Sequence, residues 1–540
     1  MRYRRLLSAG IPVAVSLIFL WGLAARAPAQ MAAAPASAQA NPPLDCKPAA
    51  FAPVSSTSKT DPFDGKLAGP DLPPGLLPIS DTIKEAILNS GLPCQERVNP
   101  AGPPFDNPNV EDIGLENLQR GFDFYSWRTF IAMNSPADGK TRIDKSQANM
   151  RTRWEDPNNF KQLLDVMLPA NMQPPKWPTD KAGMDAERER LIPPECSELH
   201  KQMPDRMVVK MIEESFNEPF KTGPLIDQQG HYAIFDILMN RTMFDYMMAN
   251  HLNTKAGQAA AAADFVVDFP PGDNGKSVLG AFMLKVSWKI LVPAEIQAKN
   301  FHMVEALVLM PPGAPKAKRP CLAQTLGLIG FHAVHKTKSR PQWIWTSFEH
   351  KQNVPDRDEV STRSFNGPYN FFGVSCKGKC PAENATPPFP WDPDPALGLR
   401  FRKDDSYKSQ IVRETPLTHA AKNMNKIFHS ILKGTVWENY ILISTQWPSA
   451  FSCTSLTSPN APDPKNDFIR QPDMNCSPAP TYMANSTLET YSQGDIPQAS
   501  SSCIGCHGNA VGFQTRAANP KPGDLQLNQS DFTFMLEKAQ

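Results

Sequence analysis

The segment Thr325–Phe348, TLGLIGFHAVHKTKSRPQWIWTSF, decides the fold. Residues 325–334 are almost continuously apolar, which is typical of a strand covered on both faces. A polar turn of Lys, Thr, Ser, Arg and Pro follows, and residues 343–348 form a second run rich in Trp and other β-prone side chains. Two such runs joined by a polar turn predict a hairpin. We therefore expect an antiparallel sheet at the core.

Segments on either side of this hairpin predict the rest of the core. Phe282–Ile290 alternates apolar and polar residues with a period of two, which indicates a strand with one buried face. By composition and periodicity, further strands are predicted at 232–238, 304–310 and 435–445, and helices at 111–133, 242–252 and 417–431. The expected fold class is α+β: a large loop-rich domain with an antiparallel β core and flanking helices.

Composition excludes several classes of protein. The 540 residues carry 55 Lys and Arg against 54 Asp and Glu, so the net charge of +1 lacks the basic excess of a nucleic-acid binder. A hydrophobic fraction of 41% is enough for a sizeable core. The 55 prolines argue against a chain made mostly of long helices, because an internal proline removes a hydrogen-bond donor.

The N-terminus has the pattern of an export signal. Residues 1–5 contain three arginines, and residues 6–25 are mostly apolar. A charged stretch followed by an apolar one predicts a signal peptide, which we assign to residues 1–29. Small residues at 27–29 and at 38–40 provide two candidate cleavage sites. The alternative is an uncleaved anchor, the one arrangement in which we expect contact with a membrane. Residues 30–110, rich in proline, are predicted to form an extended arm.

The motif that carries chemistry is CIGCH, residues Cys503–His507. This CxxCH spacing is the attachment site of a c-type haem. Two thiols three positions apart can form thioethers with the two haem vinyl groups, and the adjacent His507 can bind the iron as proximal ligand. A zinc site is disfavoured because the sequence contains no second CxxC pair. We therefore predict one covalent haem c bound to Cys503 and Cys506.

On this motif the sequence resembles the c-type cytochromes. Other segments are similar to a group of large, poorly characterised bacterial cytochrome c family proteins: Phe122–Trp127, Gln342–His350, Ala484–Thr490 and Asp531–Phe534. The resemblance is spread over most of the chain after the signal peptide. It implies a periplasmic haem protein with a large domain of unassigned role, and it supplies no substrate.

Eight cysteines remain outside the motif: Cys46, Cys94, Cys196, Cys321, Cys376, Cys380, Cys453 and Cys476. An even number in an exported chain favours disulfide bonds. The sequence does not fix the connectivity, since eight cysteines allow 105 pairings. Pairing of neighbours is the simplest expectation, with Cys46 and Cys94 stapling the arm, Cys376 joined to Cys380, and Cys453 joined to Cys476.

The sixth ligand of the haem iron has four candidates. Met535, the one methionine after the motif, is the first choice. Met483 is an alternative before the motif, and His332 and His350 near the predicted hairpin are two more. If His332 and His335 share a strand, they point to opposite faces. A separate iron site built from His332 or His335 with Glu349 and His350 is a weaker hypothesis.

Two functions follow from these observations. The first is a periplasmic mono-haem c-type cytochrome that transfers electrons to or from a periplasmic redox partner protein. The second is a haem-dependent oxidoreductase of the peroxidase or oxygenase kind, with an open distal site and a substrate cavity in the large domain. One haem motif favours the first, and the size of the chain favours the second. We assign residues 111–450 to the domain of unassigned role and 451–540 to a short haem c-binding region.

Overall fold

The architecture comes from a computed structural model of the chain. It describes residues 45–47, 79–96, 115–169, 171–218, 221–261, 265, 267–311, 319–376, 378, 380–404, 406–448, 478–493, 501–508, 510 and 530–540. The chain divides into two units, residues 1–40 and 41–540, and every described residue belongs to the second. The predicted signal peptide and most of the predicted arm lie outside the described residues.

A nine-stranded sheet forms the centre of the described chain. Its strands are β1 (Phe160–Gln162), β2 (Met207–Lys210), β3 (Ile234–Asn240), β6 (Phe282–Ile290), β7 (Met303–Leu309), β8 (Cys321–Thr337), β9 (Arg340–His350), β10 (Tyr440–Pro448) and β11 (Pro478–Ala479), while β4 (Gly272–Asp273) and β5 (Val278–Leu279) pair separately. The main path runs β1-β3-β6-β8-β9-β10-β11, with β7 also on β8 and β2 beside β7. All described pairs are antiparallel except β2 with β7. The α+β class with an antiparallel core is confirmed.

The predicted hairpin is present, but its turn is tighter than the polar segment suggests. Strand β8 continues to Thr337 and β9 begins at Arg340, so two residues connect them. Polar residues extend the strands because they find buried partners. His335 Nδ1 lies 2.5 Å from the Tyr125 hydroxyl, and Lys336 pairs with Asp531. Tertiary contacts that the sequence does not display therefore set the end of β8.

Helices surround the sheet. They are α1 (Asp81–Leu88), α2 (Leu115–Asn134), α3 (Leu163–Val166), α4 (Lys181–Arg190), α5 (Ser197–Gln202), α6 (Arg241–Ala249), α7 (Lys255–Ala260), α8 (Pro293–Ala298), α9 (Arg357–Thr362), α10 (His419–Ile431) and α11 (Cys503–His507). The helices predicted around residues 122, 242 and 417 are α2, α6 and α10. Within the described part of the chain, no helix is both long and apolar enough to span a bilayer.

One face of the sheet packs against α2 and α10. We call it the aromatic face. Trp127 of α2 stacks on Phe428 of α10 with ring centroids 4.8 Å apart, and Phe130 stacks on Phe348 of β9 at 4.2 Å. Phe331 of β8 meets Phe130 edge-on. These rings are fully buried. The apolar faces of both helices and alternate residues of β8 and β9 thus form one layer of the core.

The opposite face of the sheet is covered by residues 478–493, α11 and residues 530–540. We call it the C-terminal face. Asn485 donates to the Phe348 carbonyl at 2.9 Å, and the Ser486 amide donates to Glu349 at 2.9 Å. Gly330 of β8 permits this approach, because a side chain there would overlap Ser287 and Thr487.

This cover explains why one prediction fails. The alternation over Phe282–Ile290 predicts one exposed face, and this is wrong, because both faces of β6 are buried. Ser287 is 0% exposed and Lys289 is 2% exposed. Ser287 lies 3.1 Å from the Thr487 hydroxyl, and Lys289 donates to Glu295. A polar alternation therefore marks a polar interface within the protein here, rather than a solvated surface.

Three disulfides join Cys46 to Cys94, Cys196 to Cys321 and Cys376 to Cys380. These are the pairs that neighbour pairing predicts. The fourth predicted pair, Cys453 with Cys476, lies outside the described residues. Among the cysteines described, the two that stay free are those of the CxxCH motif.

Candidate haem site

The CxxCH motif forms a short helix anchored to strand β10. Ser502 caps α11, since its hydroxyl accepts the Gly505 amide at 3.0 Å. Gln446 of β10 holds the same end: its Oε1 accepts the Ile504 amide at 2.8 Å and the Ser502 hydroxyl at 3.1 Å. One helical turn places Cys503 and Cys506 on the same side. Burial raises the pKa of the Cys506 thiol to about 12 and also raises that of Cys503, so both thiols are protonated at neutral pH.

The imidazole of His507 contacts two aromatic rings. The Trp345 ring lies 4.4 Å from the imidazole between centroids, and the Phe534 ring lies at 5.0 Å. His507 Nδ1 lies 2.8 Å from the backbone oxygen of Phe532. Because a carbonyl only accepts hydrogen bonds, Nδ1 carries the proton and Nε2 keeps its lone pair. Burial lowers the pKa of His507 to about 4, so the ring is neutral at pH 7.

A cavity of about 400 Å³ opens beside the motif. Cys503, Cys506 and His507 form one wall, and the C-terminal face of the sheet supplies the other through Lys285 and His332, which are paired across β6 and β8. The remaining lining residues are Glu213, Glu214, Asn217, Glu218, Lys221, Ile237, Met483, Glu489, Ser492, Ser502, Phe534, Glu537 and Lys538. The volume lies within the roughly 300–1,000 Å³ range of cofactor sites.

Of the four candidate distal ligands, the structure places two on the cavity wall. His332 and Met483 line the cavity, and each is at least nine-tenths buried. Met535 lies in the 3₁₀ helix Phe534–Lys538, packs in the apolar cluster with Cys503 and Leu536, and does not itself line the cavity. His350 is remote: its Nε2 lies 3.0 Å from the Asn300 carbonyl, and its ring stacks on Phe301. A ligand role for any of the four stays a prediction.

Charged side chains on the cavity wall lie close enough to one another to shift each other's pKa. His332 Nε2 lies 3.3 Å from Glu489 Oε2, and Lys285 Nζ lies 3.8 Å from Glu489 Oε1. Burial alone would raise the pKa of Glu489, but His332 and Lys285 hold it at about 2. Glu218 accepts two hydrogen bonds from Thr490, yet burial raises its pKa to about 8. At neutral pH Glu489 is therefore ionised, whereas Glu218 is mainly protonated.

The weaker iron site does not assemble. His335 points to the aromatic face and bonds to Tyr125, as the alternation of a strand requires, while His332 faces the cavity. Glu349 bonds to Ser486 and pairs with Arg413. Across the residues that the structure describes, no cluster of three or more His, Cys, Asp or Glu side chains suits a metal ion.

The chemistry of the motif fits a covalent haem. Two reduced thiols and a neutral imidazole with its Nε2 lone pair free border one cavity. Sequence reasoning missed Trp345 as a contact of His507 and missed the Phe532 carbonyl. The period-two pattern of β9 assigns Trp345 to a face, but no local pattern connects it to a motif more than 150 residues away.

The chain was also compared with known families, proteins and structures. No family model, curated protein or solved structure matches the chain.

Proposed function

We propose that the protein is a periplasmic mono-haem c-type cytochrome that exchanges electrons with a periplasmic redox partner. The haem is bound covalently through Cys503 and Cys506, with His507 as the proximal ligand. One observation carries the proposal: the free thiols of a CxxCH helix border the same cavity as an imidazole whose Nδ1 is bonded to a carbonyl. That bond fixes the tautomer that a metal-bound histidine needs.

Each residue has a defined task in this proposal. Bound at this position, haem c would supply an iron that alternates between the ferrous and ferric states. Gln446 and Ser502 hold the start of α11 and thereby orient the two thiols. Trp345 and Phe534 pack against the imidazole and limit its movement. The neutral state of His507 leaves Nε2 ready to bind a metal at neutral pH.

The proposal is tested by expressing the chain in a periplasm that attaches haem c and recording a pyridine haemochrome spectrum. We expect a c-type spectrum from the parent chain and its loss from the C503A/C506A variant. The matched control is C376S/C380S, which removes two cysteines at a different spacing on an exposed loop and should keep the spectrum. A parent chain without haem under these conditions overturns the proposal.

The distal ligand is assigned here to the cavity wall, to His332 or to Met483. Three variants separate the candidates: H332Q, M483L and M535L. We expect M535L to keep the ferric and ferrous spectra of the parent, because Met535 does not line the cavity. One of the other two variants should become high-spin and bind carbon monoxide. A high-spin M535L protein would restore Met535 as the ligand.

A haem-dependent oxidoreductase is the second candidate function. The observation that favours it is the polar wall: Glu218, Glu489 and Lys285 line the cavity next to the motif. Such groups could bind a small substrate or move a proton near an open iron site. Rapid binding of carbon monoxide and cyanide by the parent protein would support this function, and indifference to both would support electron transfer.

A further inference from the structure

The Phe532 carbonyl, which accepts a hydrogen bond from His507 Nδ1, belongs to a short backbone segment in an unusual conformation. Asp531 and Phe532 both have positive φ, at 50° and 62°. Two consecutive non-glycine residues rarely adopt this left-handed region, and such a conformation persists only where the surroundings impose it. The segment therefore needs an anchor, and Asp531 supplies it.

The Asp531 carboxylate is completely buried and has three described donors. Its Oδ2 accepts Lys336 Nζ at 2.6 Å and the Phe269 amide at 2.7 Å, and its Oδ1 lies 3.3 Å from Trp343 Nε1. Lys336 is 1% exposed and belongs to β8, and Trp343 belongs to β9. The hairpin of the sheet thus holds Asp531, and the next residue directs its carbonyl to His507 Nδ1.

We propose that Asp531, anchored by Lys336 and Trp343, is a positioning residue for His507 and thereby sets the reduction potential of the haem. This inference rests on the proposed function. The bond from Nδ1 to the Phe532 carbonyl orients the imidazole and increases the electron donation of Nε2 to the iron. A stronger donor favours the ferric state. Loosening the anchor lengthens that bond and favours the ferrous state, so the reduction potential rises.

The test compares D531N and K336M with the parent protein after haem attachment. Asn keeps the size of Asp531 but removes the charge that faces Lys336. Met removes the ammonium group and leaves the donors Phe269 and Trp343 in place. We expect both variants to attach haem, with the ferrous-to-ferric ratio at a fixed applied potential rising about tenfold, a shift of about +59 mV. The ferric EPR g-values, which report imidazole orientation, should shift in both.

The matched control is D268N. Asp268 pairs with the same lysine, but its side chain is 63% exposed, so its loss should leave the potential and the g-values unchanged. If either D531N or K336M fails to fold, the other still decides the question. A parent protein without covalent haem overturns the proposed function. Unchanged potentials and g-values in a haem-loaded D531N or K336M protein overturn the positioning role alone.

Discussion

The same strands contribute residues to both faces of the sheet, and the two faces have different surroundings. On the aromatic face, Phe331 and Phe348 pack against rings of α2. On the C-terminal face, the alternate residues Lys285, His332 and Trp345 border a polar cavity and the CxxCH helix. Neighbouring residues of a strand point to opposite faces. In β8 and β9, the residues on one face therefore contribute to the apolar core, and those on the other face lie beside the cavity and the motif. A substitution on one face should therefore leave the other largely intact.

The largest expected effect is on the aromatic face. Phe130 is fully buried against Phe331, Phe348, Trp437 and Tyr440. We expect F130A to lower the free energy of unfolding by about 3–5 kcal/mol, because it removes a buried ring and leaves a cavity. The haem spectrum should not change. Denaturant unfolding followed by circular dichroism measures the loss.

Phe534 provides the matched substitution on the C-terminal face. It is partly exposed and contacts His507, so F534A should lower the free energy of unfolding by only about 1 kcal/mol. The same change should alter the haem spectrum. Equal destabilisation by the two alanines, or a spectral change in F130A, would remove the distinction between the faces.

A smaller effect is expected at the junction of β10 with the motif. Q446L leaves the Ile504 amide without its partner, and we expect a loss of about 1–3 kcal/mol together with a lower yield of attached haem. The comparison is Q119L, since Gln119 donates to Asp123 and to the Thr445 carbonyl from α2. Q119L should cause a similar loss of stability with a normal haem content. If both variants attach haem equally well, Gln446 does not position the motif.

A pH-dependent effect is expected from the protonation of Glu218. Burial raises the pKa of this carboxyl group in the folded chain to about 8, above its ordinary value of 4.5. A raised folded pKa gives stability that is complete below pH 4.5 and is lost as the pH rises through 8. E218Q should remove this loss, so the free energy of unfolding of the variant should gain up to about 1.4 kcal/mol per pH unit on that of the parent between pH 5 and pH 8. Urea unfolding at several pH values measures the gain, and a constant difference would contradict the assignment.

The sequence predicts individual helices and strands better than it predicts which segments pack over the sheet. Strand β6, the β8–β9 hairpin and helices α2, α6 and α10 follow from periodicity, because that signal lies within a few residues. The burial of Ser287 does not follow, since Thr487, which lies against it, is far along the chain. The same holds for the site. Spacing identifies Cys503, Cys506 and His507, whereas the contact of Phe532 with His507 depends on a left-handed backbone at residues 531 and 532.

The central claim is that Cys503 and Cys506 carry a covalent haem, and the intact mass of the denatured periplasmic protein tests it most directly. We predict a mass increase equal to one haem in the parent chain and none in C503A/C506A. A parent chain without that increase, or with Cys503 and Cys506 joined as a disulfide, would contradict the account.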